Sequence, residues 1–397
     1  MKENPARPMV GSYLIALLAS ILKGESPPPL PAGLPMDKLY QLAAWHHVAN
    51  MAYYGLLKLD PLPPESILKS FKQARSKALA KEVRQEFEVQ QILAAFEEKQ
   101  LKHMPLKGFI IKHLYPQPDM RLMADVDILV EADKLKAARE IMLTLGYTSV
   151  HEGGNHDVYH KMPVMNIELH RALIAESYHD LYAYFGTGWQ RAALQAGKNY
   201  SYEMSGEDFY IYLLAHMAKH YRGGGTGIRS VMDVWVYKKH YQDSLDWDYI
   251  RSELAKAGLD DFAQNMEGLS ECWFDGREMN EHDQTMTAFV LSNGTYGTAQ
   301  NAALGKFIKT RKADDSFRVA KLKYTLGIFF PNKEHMTILF PFLKKLPFLI
   351  PLCWIVRGLK TIILRPANIK HRIRNTVSLT ETNSAQREKI QRQSGFK

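Results

Sequence analysis

Residues 121–130 read Arg121-Leu122-Met123-Ala124-Asp125-Val126-Asp127-Ile128-Leu129-Val130, and the fold turns on that stretch. The aliphatic, β-branched run Val126–Val130 predicts a strand. Side chains two apart on a strand point the same way, so Asp125 and Asp127 project together from one edge of a sheet. Two adjacent carboxylates repel each other unless a cation neutralises them, and an oxygen-rich pocket without cysteine suits Mg2+ or Mn2+. The expectation is a divalent-metal site for a phosphate-bearing substrate.

Upstream, His103-Met104-Pro105-Leu106 predicts a short strand, followed by Lys107-Gly108 and a helix over Phe109–Tyr115. Glycine at a strand-to-helix turn lets a phosphate approach the backbone, the helix N-terminus offers unpaired N–H groups, and Lys107 adds a point charge. Downstream, a helix from Ala132 to Leu143 ends at Gly146, and Tyr147–Val150 predicts another strand. After the turn Glu152-Gly153-Gly154-Asn155, the segments 156–161 and 163–170 predict a hairpin. In its second strand Asn166, Glu168 and His170 share one face while Ile167 and Leu169 share the other.

The order Leu-Lys-Gly (106–108), Tyr-Pro (115–116), Arg-x-x-x-Asp-x-Asp-x-Leu-Val (121–130), Gly-Tyr (146–147) and Ile-Glu-Leu-His (167–170) resembles the nucleotidyltransferase-like proteins of the polymerase-beta superfamily. The resemblance is to its bacterial branch with a Leu-Lys-Gly loop and covers roughly residues 100–240. It implies an α+β fold, a small mixed sheet flanked by N-terminal and C-terminal helical regions. It also implies two Mg2+ (or Mn2+) ions held by Asp125, Asp127 and Glu168, with Lys107-Gly108 at the phosphate-loop position for a nucleoside triphosphate; Arg121 is a further candidate for the β- and γ-phosphates and His170 for the surroundings of the ions. Better-known members carry Gly-Ser or Gly-Gly where this chain has Lys107-Gly108-Phe109.

The remaining chain divides into a helical region over 1–102, the core over 103–175, a helical domain over 176–330 that closes the cleft, and a tail over 331–397. Lys2, Arg7, Glu3 and Pro5 precede the apolar run Leu14–Leu22, which reads as the first helix of a soluble protein rather than a signal peptide. Pro63-Pro64 opens nearly forty residues without internal Gly or Pro, predicting one or two helices with a buried stripe. His216 and His220, four apart, either ligate a metal or pack in the core. The loop 223–227 reads as an anion nest or a flexible connection. Arg229 and Asp233 pair with each other across a helical turn or contact substrate.

Two cysteines in 397 residues exclude a disulfide framework and fit a cytoplasmic protein. The net charge of +9 is misleading, because residues 341–397 hold twelve Lys or Arg against two Asp or Glu, leaving the body near neutral. A nucleic-acid groove through the core is therefore disfavoured. In 341–365 the apolar run Leu346–Val356, with Phe348 and Trp354, is flanked by Lys344, Lys345, Arg357, Lys360 and Arg365. It is too short to span a bilayer, and reads either as packing on the protein's own helices or as peripheral contact with the inner face of the membrane. Beyond Asn375 the polar composition predicts disorder. Two functions follow: a metal-dependent transferase moving an NMP group from an NTP to a hydroxyl acceptor, or a non-catalytic adaptor of the same fold that associates through its basic tail.

Overall fold

The N-terminal sequence folds into four helices, α1 (Ala6–Lys23), α2 (Met36–Trp45), α3 (Ala49–Leu56) and α4 (Glu65–Glu98). The apolar run of α1 packs inward, with Leu14, Leu17 and Leu18 fully buried. The stretch after Pro64 forms a single helix of 34 residues, since nothing inside it removes a backbone donor or favours a turn. This is a computed structural model, describing residues 6–311, 314–364, 374 and 376–396; Lys2, Glu3, Pro5 and Arg365 lie outside the described residues.

Five strands follow: β1 (His103–Pro105), β2 (Val126–Val130), β3 (Thr148–His151), β4 (His156–Lys161) and β5 (Met165–His170). They form one mixed sheet in the order β1-β2-β5-β4-β3, in which β2 and β5 are parallel and the other pairs antiparallel. The short α5 (Gly108–Ile111) joins β1 to β2, and α6 (Leu135–Thr144) makes the crossover toward β3. This is the α+β class, with the sheet enclosed by helical sequence on both sides in the chain.

Alternation along the strands gives the sheet two unlike faces. Val126, Ile128 and Val130 of β2, Ile167 and Leu169 of β5 and Tyr159 of β4 pack with Val89, Ile92 and Phe96 of α4 and Ala138 and Met142 of α6. Ile128, Val130, Ile167 and Leu169 are completely withdrawn from solvent, each contributing about 1.5–3 kcal/mol of burial energy. That packing fixes the register, because a one-residue slip would exchange the two faces. The opposite face presents Asp127, Glu168, His170 and His156.

The chain continues through α7 (His179–Phe185), β6 (Ala192–Leu194) and β7 (Tyr202–Met204), which pair as a two-stranded ribbon, and then α8 (Gly206–Arg222) and α9 (Ile228–Tyr241). Next come α10 (Trp247–Lys256), α11 (Asp260–Phe274) and α12 (Glu281–Asn293). The first of two compact units holds residues up to 219 together with 226–295 and 394–396; the second holds 220–225 and 296–393. Both cysteines are free thiols in buried positions.

The second unit contains α13 (Ala299–Thr310), α14 (Phe317–Phe329), α15 (Lys333–Leu339), α16 (Ile350–Leu364) and α17 (Glu381–Gln393). Side chains of Thr298, Ser316 and Asn332 cap α13, α14 and α15. Its cores are small, one around Leu304, Phe307 and Leu379 and one around Met336, Leu343 and Cys353. The expectation of disorder beyond Asn375 is overturned for 381–393, which is helical. Buried Arg387 anchors that helix by donating to the Tyr221 carbonyl, and Gln391 donates to the Arg222 carbonyl at 3.0 Å. Two tertiary anchors order a polar sequence that composition alone leaves unpartnered.

Candidate active site

Parallel pairing of β2 and β5 sets Asp127 directly beside Glu168 in the ladder, and Leu129 beside His170. Paired residues of adjacent strands share a face, so the two carboxylates meet on the side away from the apolar core. Asp125 lies just before β2. His156 enters from β4, as the register partner of His170.

Asp127 is the hub. Lys107 Nζ lies 3.0 Å from its Oδ1, and His170 Nε2 lies 2.6 Å from the same atom. His170 Nε2 also approaches Glu168 Oε2 to 3.3 Å, and the Asn155 amide nitrogen stands 3.4 Å from His170 Nδ1. Burial alone pushes the Asp127 carboxyl up, but the Lys107 ammonium and the His170 ring outweigh it and hold the group well below the usual carboxylate range. Lys107 is shifted the other way, upward: its burial is overcome by Asp127. Glu168 is lowered, the cost of burial being exceeded mainly by its hydrogen bond with His170.

Asp125 behaves differently. Burial raises its carboxyl, and the negative charges of Asp127 and Glu168 add to that rise despite Lys107 and Arg229. Three carboxylates therefore leave an excess of negative charge at Asp125, the condition a divalent cation relieves. Their oxygen donors fit Mg2+ or Mn2+.

The Lys107-Gly108 turn is tightly built. Lys107 adopts φ 49° and ψ −117°, a left-handed backbone that costs a non-glycine residue about 1–3 kcal/mol. Its ion pair with Asp127 holds it there, and the adjacent Leu106 N–H donates to the Asp127 carbonyl at 3.0 Å. At Gly108 an added Cβ would lie 2.8 Å from Arg121 Nη1 and 3.0 Å from Met123 Sδ, so only glycine fits without displacement. Arg121 is committed elsewhere: Nε and Nη2 donate to the two Asp233 oxygens at 3.0 and 2.6 Å, and Tyr115 Oη donates to Asp233 at 2.7 Å. Asp233 thus receives Arg121 from the β2 approach, while Arg229 donates to the Leu122 carbonyl. Together they tie α9 to the segment that carries Asp125 and Asp127.

Several contributors escaped the sequence reading. Lys219 of α8 has an ammonium pushed down to about 8, chiefly by burial and then by Lys107, against the pull of Asp127, Glu168 and Asp125. Its Nζ lies 5.9 Å from the Tyr178 ring centroid. Lys81 of α4 is also lowered by burial while Asp125 and Arg229 act on it in opposite directions. A lysine within a helix carries no sequence signal, but His156 had one: hairpin register places it opposite His170. Among the described residues, His156, Glu168 and His170 form a group whose ligand atoms all lie within 4.8 Å of one another, and His216 and His220 are not members. His216 is half-buried with its ring 6.2 Å from that of Tyr212, and His220 is exposed. In the 223–227 loop Gly227 serves close packing: a Cβ there would meet the Gly294 carbonyl oxygen at 2.6 Å.

A mixed sheet with acidic groups in register across a parallel strand pair, preceded by a lysine-glycine turn, places the chain in the α+β class. The family model described as "Uncharacterised nucleotidyltransferase" matches residues 33–275, and the chain belongs to that family. Among solved structures the chain is similar to the antibiotic-resistance factor ANT(2'')-Ia, determined in solution, at 14% identity over 44% of this chain and 91% of that one, with a TM-score of 0.34. No curated protein matches the chain.

Proposed function

We propose that the protein transfers the nucleoside monophosphate group of a nucleoside triphosphate to a hydroxyl acceptor at the Asp125, Asp127 and Glu168 carboxylates. The observation that carries this reading is the pairing of Asp127 with Glu168 across β2 and β5, beside the excess negative charge at Asp125. When bound, divalent ions held by these three carboxylates supply charge neutralisation at the α-phosphate and activation of the acceptor oxygen. Lys107 and Lys219 supply positive charge for the β- and γ-phosphates, beside the turn at buried Gly108 that opens α5. Arg121 acts as a positioning residue through Asp233.

In the transfer the acceptor oxygen forms a bond to the α-phosphorus, the bond from that phosphorus to the bridging oxygen breaks, and pyrophosphate leaves with the electron pair. Glu168, kept ionised by His170, receives the acceptor proton. The test is transfer of α-phosphate label from each nucleoside triphosphate into a cell extract, with pyrophosphate release followed in parallel. Asp127→Ala and Glu168→Gln are each expected to abolish both signals while the far-UV spectrum stays intact. Full activity in either folded variant overturns the assignment.

A specific observation also favours a membrane contact. On α16, Leu352, Ile355, Val356, Leu359, Ile362 and Ile363 recur at helical spacing and are 45–73% exposed, while Lys344, Lys345 and Lys360 are exposed around them. Among the described residues no helix is long and apolar enough to cross a membrane. An apolar face rimmed by cations suits the headgroup region of an anionic bilayer. Sedimentation with anionic vesicles, lost on Ile355→Ser with Leu359→Ser and Ile362→Ser, supports this contact; equal sedimentation of both proteins refutes it.

A further inference from the structure

The functional face of the sheet carries a donor set of a second kind. The His156 and His170 rings lie 4.9 Å apart, inclined by 35°. Glu168 Oε2 stands between them, 3.5 Å from His156 Nε2 and 3.3 Å from His170 Nε2. Nitrogen and oxygen ligands at the ~2.0–2.1 Å usual for Zn2+ stand roughly 3.3–3.4 Å apart at the corners of a tetrahedron. The two Glu168 separations match that edge, and all three ligand atoms lie within 4.8 Å of one another. Mg2+ prefers oxygen and water, whereas two imidazoles and one carboxylate suit a transition-metal ion.

We propose that His156 Nε2, His170 Nε2 and Glu168 Oε2 form a binding site for a transition-metal ion, Zn2+ by its spacing. The inference goes beyond the nucleotidyl-transfer reading, with which it shares Glu168 and His170, and adds His156 as a ligand. His170 is the fixed ligand, with 6% of its side chain exposed, whereas His156 at 35% and Glu168 at 19% leave an approach from solvent. Three protein ligands with an open side define a position that also accepts water or substrate, unlike a closed structural zinc site. Metal capture at His170 Nε2 displaces its 2.6 Å contact with Asp127 Oδ1. Asp127 then retains Lys107 at 3.0 Å, and Asn155 retains its 3.0 Å bond to the Ala172 carbonyl.

The test uses the full chain stripped of metal with a chelator. Zn2+ titration calorimetry is expected to give one strong site per chain, and Co2+ is expected to develop the intense visible bands of a four- or five-coordinate ion. His156→Ala should weaken Zn2+ binding at least ~10-fold and remove the Co2+ bands. His160→Ala, an exposed histidine on the same strand, should leave both unchanged. Absence of the Co2+ bands in the wild type, or their persistence in His156→Ala, overturns the inference. Mg2+-dependent pyrophosphate release by the wild type is measured on the same preparation. Release without Co2+ bands sinks the second site alone, and Co2+ bands without release sink the transfer reading alone.

Discussion

Lys219 gives the sharpest quantitative test, because its charge costs stability where it stands. Burial and Lys107 lower its ammonium from 10.5 to about 8, although three carboxylates pull the other way. Between these values the folded chain has released a proton that the unfolded chain still holds. Stability therefore rises with pH across this window, and below about pH 8 the folded state bears the full cost of the buried charge. A fall of this size corresponds to about 3 kcal/mol at 1.36 kcal/mol per unit. Lys219→Met keeps the length of the side chain and removes the titration. Urea unfolding at about pH 7 and about pH 10 should show wild-type stability gaining roughly 2–3 kcal/mol relative to the variant. Parallel pH profiles would refute the reasoning. The same variant should bind triphosphate more weakly, since a charge kept at a stability cost beside the site is a functional expense.

Two further outcomes test the frame around the site. Asp233→Ala strands the Arg121 guanidinium and the Tyr115 hydroxyl and should cost about 3–5 kcal/mol in urea unfolding, whereas the pair Arg121→Met with Asp233→Leu should recover most of that loss. A single variant within experimental error of wild type would contradict the network. Gly108→Ala forces Arg121 Nη1 and Met123 Sδ aside, so it should cost about 1–3 kcal/mol and lower label transfer; an unchanged melting temperature would count against that packing.

The strands were legible for two reasons: Val126–Val130 is an aliphatic, β-branched run broken only by Asp127, and in β5 Ile167 and Leu169 alternate with Glu168 and His170. Of the sheet order only the β4–β5 hairpin was legible, since which other strands pair depends on packing against α4 and α6 rather than on any local residue. Parallel pairing of β2 and β5 is what converts two separate motifs into one face. Arg121 and Asp233 were each singled out, but 112 positions apart they could be joined only by the fold. Lys219 and Lys81 were invisible for the opposite reason: lysines on helices are common, and only burial beside carboxylates distinguishes these two. The helix at 381–393 was misjudged because its order comes from Arg387 and Gln391 reaching the 221–222 carbonyls, not from an apolar stripe.

The single helix α4 has a consequence for how this chain tolerates change. At 1.5 Å per residue its 34 residues span about 51 Å. Lys81 feels the charge of Asp125, Glu88 accepts Lys161 at 2.9 Å from β4, and Glu97 receives the backbone N–H groups of Asn199 and Tyr200. One rod thus indexes the site, the sheet and the approach to β7 against each other. Substitutions on its outer face alter little, but inserting or deleting one residue rotates everything beyond it by about 100°. Such a change would leave each motif intact and set them out of phase, so α4 is the part of the protein where length matters more than sequence.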